Sequence, residues 1–231
     1  MTESILKRQS NAPPECVLVA GASGGIGQAF CLQLAEQFPS ITLIRLARDT
    51  AKLVKLRVPT QDIAFDITDS ISINNALKIL PENVNIDWVF IATGWLHDDI
   101  SHPEKTWRSL EADHLLHAFT VNTIGPTLLV KQFLAKLNPN HSTTIGILSA
   151  RVGSISDNQI GGWHSYRASK AALNMLIKNF AIEIKRMKRP TIVVGLQPGT
   201  ALIHIHKLSC LSEGMLFFRF EAEHLAEGWR A

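Results

Sequence analysis

The chain has 231 residues, of which 46% are hydrophobic and 19% charged, with a formal net charge of +3. This length suits one sizeable core, and the apolar content excludes a disordered chain while fitting strands buried on both faces. The small charge is scattered apart from Lys185-Arg186-Met187-Lys188-Arg189 at a helix end, where cations suit the helix dipole, so no nucleic-acid partner is expected.

In chain order, residues 1–15 read as a polar, mobile leader containing Pro13-Pro14, and residues 16–231 as a single domain. Cys16–Ala20 reads as a short buried strand, followed by a glycine turn and a helix from Ile26 to about Gln37. Further strands are expected at Ile41–Leu46, Ile63–Phe65, Trp88–Ala92, Thr144–Leu148 and Ile192–Leu196, with helical patterns between most of them. The longest of these, Ala112–Leu137 and Tyr166–Met187, carry Leu, Ala, Ile and Phe at three-and-four spacing. Alternating strands and helices imply right-handed crossovers and a parallel sheet. The ligand crevice then lies at the carboxyl ends of the strands. Cys16 and Cys31 fall in the first strand and first helix and Cys210 in an irregular tail, so neither a disulfide framework nor a metal site is expected. His204-Ile205-His206 has no third ligand at a suitable spacing. No basic-then-apolar segment opens the chain and no apolar run reaches ~18 residues, so a cytoplasmic protein with no membrane partner is expected.

Two motifs carry chemistry. In Gly21-Ala22-Ser23-Gly24-Gly25-Ile26-Gly27, glycines at 21, 25 and 27 let the backbone turn tightly and approach a pyrophosphate. The following helix directs unpaired N–H groups at the same point. Tyr166 is the sole tyrosine, and Lys170 stands one helical turn beyond it, on the same face. A neighbouring ammonium favours the ionised phenol and brings its pKa, ordinarily near ~10, toward the working range of an acid–base catalyst.

With these two motifs in this order, the chain from about Val17 to Thr200 resembles a classical short-chain dehydrogenase/reductase. The resemblance implies a Rossmann-like, doubly wound parallel sheet of order 3-2-1-4-5-6 with helices on both faces. It also implies that Asn122, in Phe119-Thr120-Val121-Asn122-Thr123-Ile124-Gly125-Pro126, holds a water in a proton relay. Asp66, with Ile67 beside it, would contact the adenine; Gly94 would close the turn after the fourth strand, and Pro198-Gly199 would lie around the nicotinamide. Lys170 would hold the nicotinamide ribose and assist Tyr166. At Leu46-Ala47-Arg48-Asp49, Ala47 stands where NAD-type members carry an acid, and Arg48 offers a fork of donors to a 2′-phosphate. NADP is therefore the expected cofactor, with Ser23 as a second phosphate contact and Arg48–Asp49 pairing as the plainer reading of Arg48.

Three departures stand out. The family serine falls three residues before a glycine, and in Ser149-Ala150-Arg151-Val152-Gly153-Ser154 that position is Ala150. Ser149 and Ser154 are near enough to substitute, and Ser149 is taken as the equivalent if the local turn shifts register. Ile91-Ala92-Thr93-Gly94 lacks the asparagines common before that glycine. The carboxyl end lacks a recognisable closing strand in Thr200-Ala201-Leu202-Ile203-His204-Ile205-His206, and Leu216–Phe220 would expose apolar surface. Ala92–Asp98, Ser149–Ile155 and Gly161-Gly162-Trp163 resemble the C-factor branch, whose members are associated with bacterial cell–cell signalling and with carbonyl reduction in animals. The expected function is hydride transfer between the nicotinamide and a small carbonyl or secondary alcohol in a homodimer or homotetramer. The alternative is an NADP-binding signalling protein with little turnover.

Overall fold

A computed structural model describes residues 13–198 and the backbone of two strands at 205–211 and 215–220. Six parallel strands form one sheet: β1 Cys16–Ala20, β2 Thr42–Ala47, β3 Thr60–Ala64, β4 Trp88–Ile91, β5 Thr144–Leu148 and β6 Ile192–Leu196. Their spatial order is β3-β2-β1-β4-β5-β6. The order reverses between β1 and β4, so the loops leaving these two neighbours part and open a crevice between them.

Strand alternation divides the core into two faces. Val17 and Val19 of β1 pack with Phe30, Cys31 and Leu34 of helix α1 (Gly25–Gln37). Leu18 and Ala20 point the other way, toward α2 (Ser70–Lys78), α4 (Gly125–Lys136) and α5 (His164–Arg186). Phe30, Leu34 and Phe133 are at most 1% exposed, and burying each contributes about 1.5–3 kcal/mol.

The boundaries expected for β1, β5 and β6 hold. β3 begins earlier than its apolar run because Asp62 pairs in register with the buried Arg45 of β2 through two charge-assisted hydrogen bonds of 2.7 and 2.8 Å. The single helix expected over Ala112–Leu137 is three pieces: α3 (Ala112–Phe119), a π turn at Thr120–Ile124, and α4. Pro126 sits at the start of α4, where a missing N–H is tolerated. At the carboxyl end the structure corrects the reading of an irregular tail: β7 (Ile205–Leu211), which contains Cys210, pairs antiparallel with β8 (Met215–Phe220). These two strands form a sheet of their own, and β6 is the last strand of the parallel sheet among the described residues. The leader up to residue 12, Gly199 and residues 200–204 lie outside the described residues.

Candidate active site

The crevice above β1 and β4 holds a cleft of about 220 Å³, lined by Gly21, Ser23, Ala47, Arg48, Asp66 and Gly94 among others. Gly21 has φ +80°, a left-handed conformation that admits glycine without strain. Its N–H and that of Ala22 bond Leu46 O at 2.9 and 3.1 Å, which ties the turn to the end of β2. A Cβ on Gly27 would stand 2.2 Å from Gly21 O, so the first turn of α1, carrying Gly25, Ile26 and Gly27, packs directly on the glycine turn. Gly24 caps α1 without a side-chain hydrogen bond, and no acid occupies its first turn. The leading N–H groups of α1 thus remain available to an anion beside the cleft.

At the other end of the cleft, Asp66 Oδ1 accepts from Thr68 N–H at 2.8 Å and from its hydroxyl at 2.7 Å. The Thr68 backbone bond holds the carboxyl below its usual pKa against partial burial, with help from the Thr68 hydroxyl and the Arg48 charge. Asp49 is engaged with Ala51 N–H and with Lys52, 3.9 Å away, rather than with Arg48. The exposed Arg48 therefore faces the cleft. Ile67 lines the same cleft. Pro198 follows β6, half-buried. A cradle of small residues, an uncapped helix start and a cation fit a dinucleotide.

Tyr166 and Lys170 occupy one face of α5, with Lys170 Nζ 5.8 Å from the centre of the Tyr166 ring. Lys170 is 2% exposed, and its Nζ donates to Leu148 O at 2.9 Å. A Cβ on Gly94 would stand 3.7 Å from both Lys170 Nζ and Asn122 Oδ1, so these groups meet at the edge of the cleft. Asn122 lies in the π turn, fully buried. Its Oδ1 accepts from Trp95 N–H and its Nδ2 donates to Trp95 O, each at 2.8 Å, and to Ser169 Oγ at 3.1 Å. One lone pair on Oδ1 remains.

The electrostatics differ from the sequence expectation. Burial raises the Tyr166 pKa instead of the lysine lowering it. Burial also lowers Lys170 to about 8, because its charge sits in a poorly solvated site. The phenol is thus held protonated at neutral pH.

Ser149 is not brought to the cleft. It is 5% exposed and its hydroxyl donates to Asn174 Oδ1 of α5 at 2.6 Å. Ala150, half-buried, precedes the short turn Arg151–Gly153. That turn packs tightly on α5, since a Cβ on Gly153 would stand 2.8 Å from the Lys170 backbone. Trp95 lines the cleft and stacks near His114 and His117, with ring centres 4.8 and 4.5 Å away. His114, His117, Ser169 and Asn174 carried no signal in the sequence, because their partners lie on other elements.

The family model for short chain dehydrogenases matches residues 15–207. The chain belongs to the short-chain dehydrogenase family. It is 32% identical over 194 residues to the 1-hydroxy-2-glutathionyl-2-methyl-3-butene dehydrogenase of Rhodococcus sp. strain AD45, covering 83% of this chain and 80% of that protein. The crystal structure of a short-chain dehydrogenase/reductase from Burkholderia multivorans with bound NADP superposes with a TM-score of 0.66 at 25% identity, covering 83% of this chain and 81% of that one. The C-signal protein of Myxococcus xanthus is 31% identical over 85 residues, 37% of this chain and 50% of that protein. Among the described residues, no helix of this short-chain dehydrogenase is long and apolar enough to cross a membrane. No group of three or more His, Cys, Asp or Glu among them is arranged to hold a metal ion.

Proposed function

We propose that the protein is an NADP-dependent oxidoreductase acting on a small carbonyl or secondary alcohol, with Tyr166, Lys170 and Asn122 as its reacting group. The reading rests above all on Tyr166 and Lys170 sharing one face of α5 beside Gly94, at the edge of a cleft fitted to a dinucleotide. When bound there, the nicotinamide supplies the hydride. Tyr166, protonated at neutral pH, donates to the oxygen that becomes an alkoxide. Lys170 would hold the nicotinamide ribose and restore the phenolic proton. Asn122 fixes the loop at Trp95 and offers its free lone pair to a water between itself and Lys170. Gly21, Gly25, Ile26 and Gly27 would shape the pyrophosphate seat, Asp66 and Ile67 would border the adenine, and Pro198 would border the nicotinamide. Ser149 acts only by holding Asn174. The bound NADP of the Burkholderia relative and the dehydrogenase named for the Rhodococcus relative support this reading. A homodimer or homotetramer is proposed for the assembly.

Arg48 beside Ser23, with Ala47 in place of an acid, supports NADP over NAD. Arg48→Ala is expected to weaken NADPH binding by about 1.5–3 kcal/mol and to leave NADH nearly unchanged. Calorimetry on the parent and the variant reads this directly, and equal affinities for the two cofactors in the parent would refute it.

Without a serine at 150, the substrate oxygen lacks one hydroxyl donor where charge develops. Ala150→Ser is expected to raise kcat/KM for carbonyl reduction about tenfold. An unchanged or lower value would show that the site is complete without it. Ala150 and the likeness to C-signal favour a second reading, an NADP-binding signalling protein with little turnover. Stoichiometric binding without NADPH oxidation, in the parent and in Ala150→Ser alike, would select it.

A further inference from the structure

The helix that carries Tyr166 begins in an unusual way. Gly161, Gly162 and Trp163 have φ of +71°, +64° and +49°, three consecutive left-handed residues immediately before α5. A tryptophan in that region is strained and persists only where its surroundings hold it. Arg167 Nε donates to Gly162 O at 3.1 Å and Asn158 Oδ1 accepts from Gly161 N–H at 3.0 Å, and a buried residue in the loop between β4 and α3 adds its own restraint. Glu104 is 3% exposed, and its backbone oxygen accepts from Trp163 N–H at 2.5 Å. Its carboxylate accepts from Ser165 N–H at 3.3 Å through each oxygen, and Oε1 also accepts from the Ser165 hydroxyl. His114 Nδ1 lies 2.8 Å from the same Oε1 and 3.2 Å from Ser165 Oγ. Burial alone would raise the Glu104 pKa, but the bonds from Ser165 and His114 outweigh it and keep the carboxyl ionised. The imidazole does not stand between acid and hydroxyl, so this is no nucleophilic relay.

We propose that Glu104 is a positioning residue for the proton donor, clamping Trp163 and Ser165 so that Tyr166 in the next position is held at the edge of the cleft. The same carboxylate reaches His114, whose ring packs on Trp95, and Asn122 clamps the Trp95 backbone. One buried anion therefore ties the loop before α3 and the start of α5 into a single rigid unit. A buried carboxylate is costly unless it is satisfied by partners, and here they are His114 and Ser165, the residue next to Tyr166. The inference rests on the reading of Tyr166 as proton donor.

The test replaces Glu104 by glutamine, which keeps the shape but removes the negative charge and turns Oε2, an acceptor for Ser165 N–H, into an amide donor. For the folded Glu104→Gln protein, kcat for NADPH-dependent reduction of a panel of aromatic ketones should fall about 10- to 100-fold. The Kd for NADPH should stay within about twofold, since Arg48 and the glycine turn are separate from the clamp. Tyr166 is the sole tyrosine, so tyrosinate absorbance in the near ultraviolet titrates it alone. Loosening α5 admits water to the phenol, and the midpoint should move down toward the free value by about half a pH unit or more. A purely structural role would lower thermal stability and leave both kcat and the midpoint at parental values, which would overturn the inference. If Glu104→Gln does not fold, Ser165→Ala removes one donor and is read by the same two criteria. Tyr166→Phe run in parallel keeps the two ideas apart. Full turnover in that variant, or none in the parent, defeats the assigned function and leaves the titration of the Glu104 variant to decide the clamp.

Discussion

Tyr166→Phe is expected to lower kcat for carbonyl reduction by about 100-fold or more, the effect of losing a positioned general acid. The substitution removes one hydroxyl and keeps the ring, whose contacts with Trp163 (6.5 Å between centres) and with the Lys170 ammonium are made by the ring itself. Cofactor affinity should therefore match the parent, because the cleft at Gly21, Ser23, Arg48 and Asp66 is unchanged. Steady-state kinetics with calorimetry on both proteins separates the two quantities. Undiminished turnover in the phenylalanine variant would remove Tyr166 from the mechanism.

Gly27→Ala should strike the opposite end of the site. A Cβ there would meet Gly21 O at 2.2 Å and Gly21 C at 2.9 Å, both backbone atoms that cannot rotate away. Either α1 or the glycine turn must shift, and overpacking of this kind costs about 1–3 kcal/mol. Because the shift lies at the pyrophosphate seat, NADPH affinity should fall about 100-fold, equivalent to ~2.7 kcal/mol, with a lower midpoint of thermal unfolding. Parental affinity in this variant would mean that the turn does not bind the cofactor.

Several strands were legible in the sequence because continuous apolar runs leave few alternatives: β1, β5 and β6 have the limits their residues suggest, although β6, last in the sheet among the described residues, is only partly buried. β3 was only partly legible. At the edge of the sheet its first residues, Thr60, Gln61 and Asp62, are polar and exposed, and what extends the strand is the pairing of Asp62 with Arg45, invisible in local periodicity. The π turn at Thr120–Ile124 was hidden for a related reason. One extra residue in a helix does not interrupt an apolar pattern, and the Gly125-Pro126 step was the only mark of it. Within the site, Tyr166 and Lys170 were readable as a pair because helical spacing relates them. Their electrostatics were not, since spacing says nothing of burial, and burial dominates both groups. Ser149 shows the limit most plainly: its place in the chain matched a catalytic serine within one residue, yet its hydroxyl is engaged by Asn174, 25 positions away. Glu104 had no local signal at all, since its carboxylate is spoken for by a serine 61 positions on.

The central claim, hydride transfer from the nicotinamide with Tyr166 as the proton donor, is tested most directly by label transfer. The protein is incubated with NADPH deuterated at C4 of the nicotinamide and with a panel of aromatic ketones and diketones. The alcohols formed are then analysed by mass spectrometry. Deuterium on the carbinol carbon, in proportion to NADPH consumed and lost in Tyr166→Phe, is the predicted result. Stoichiometric NADPH binding with no deuterium transferred to any member of the panel would contradict it.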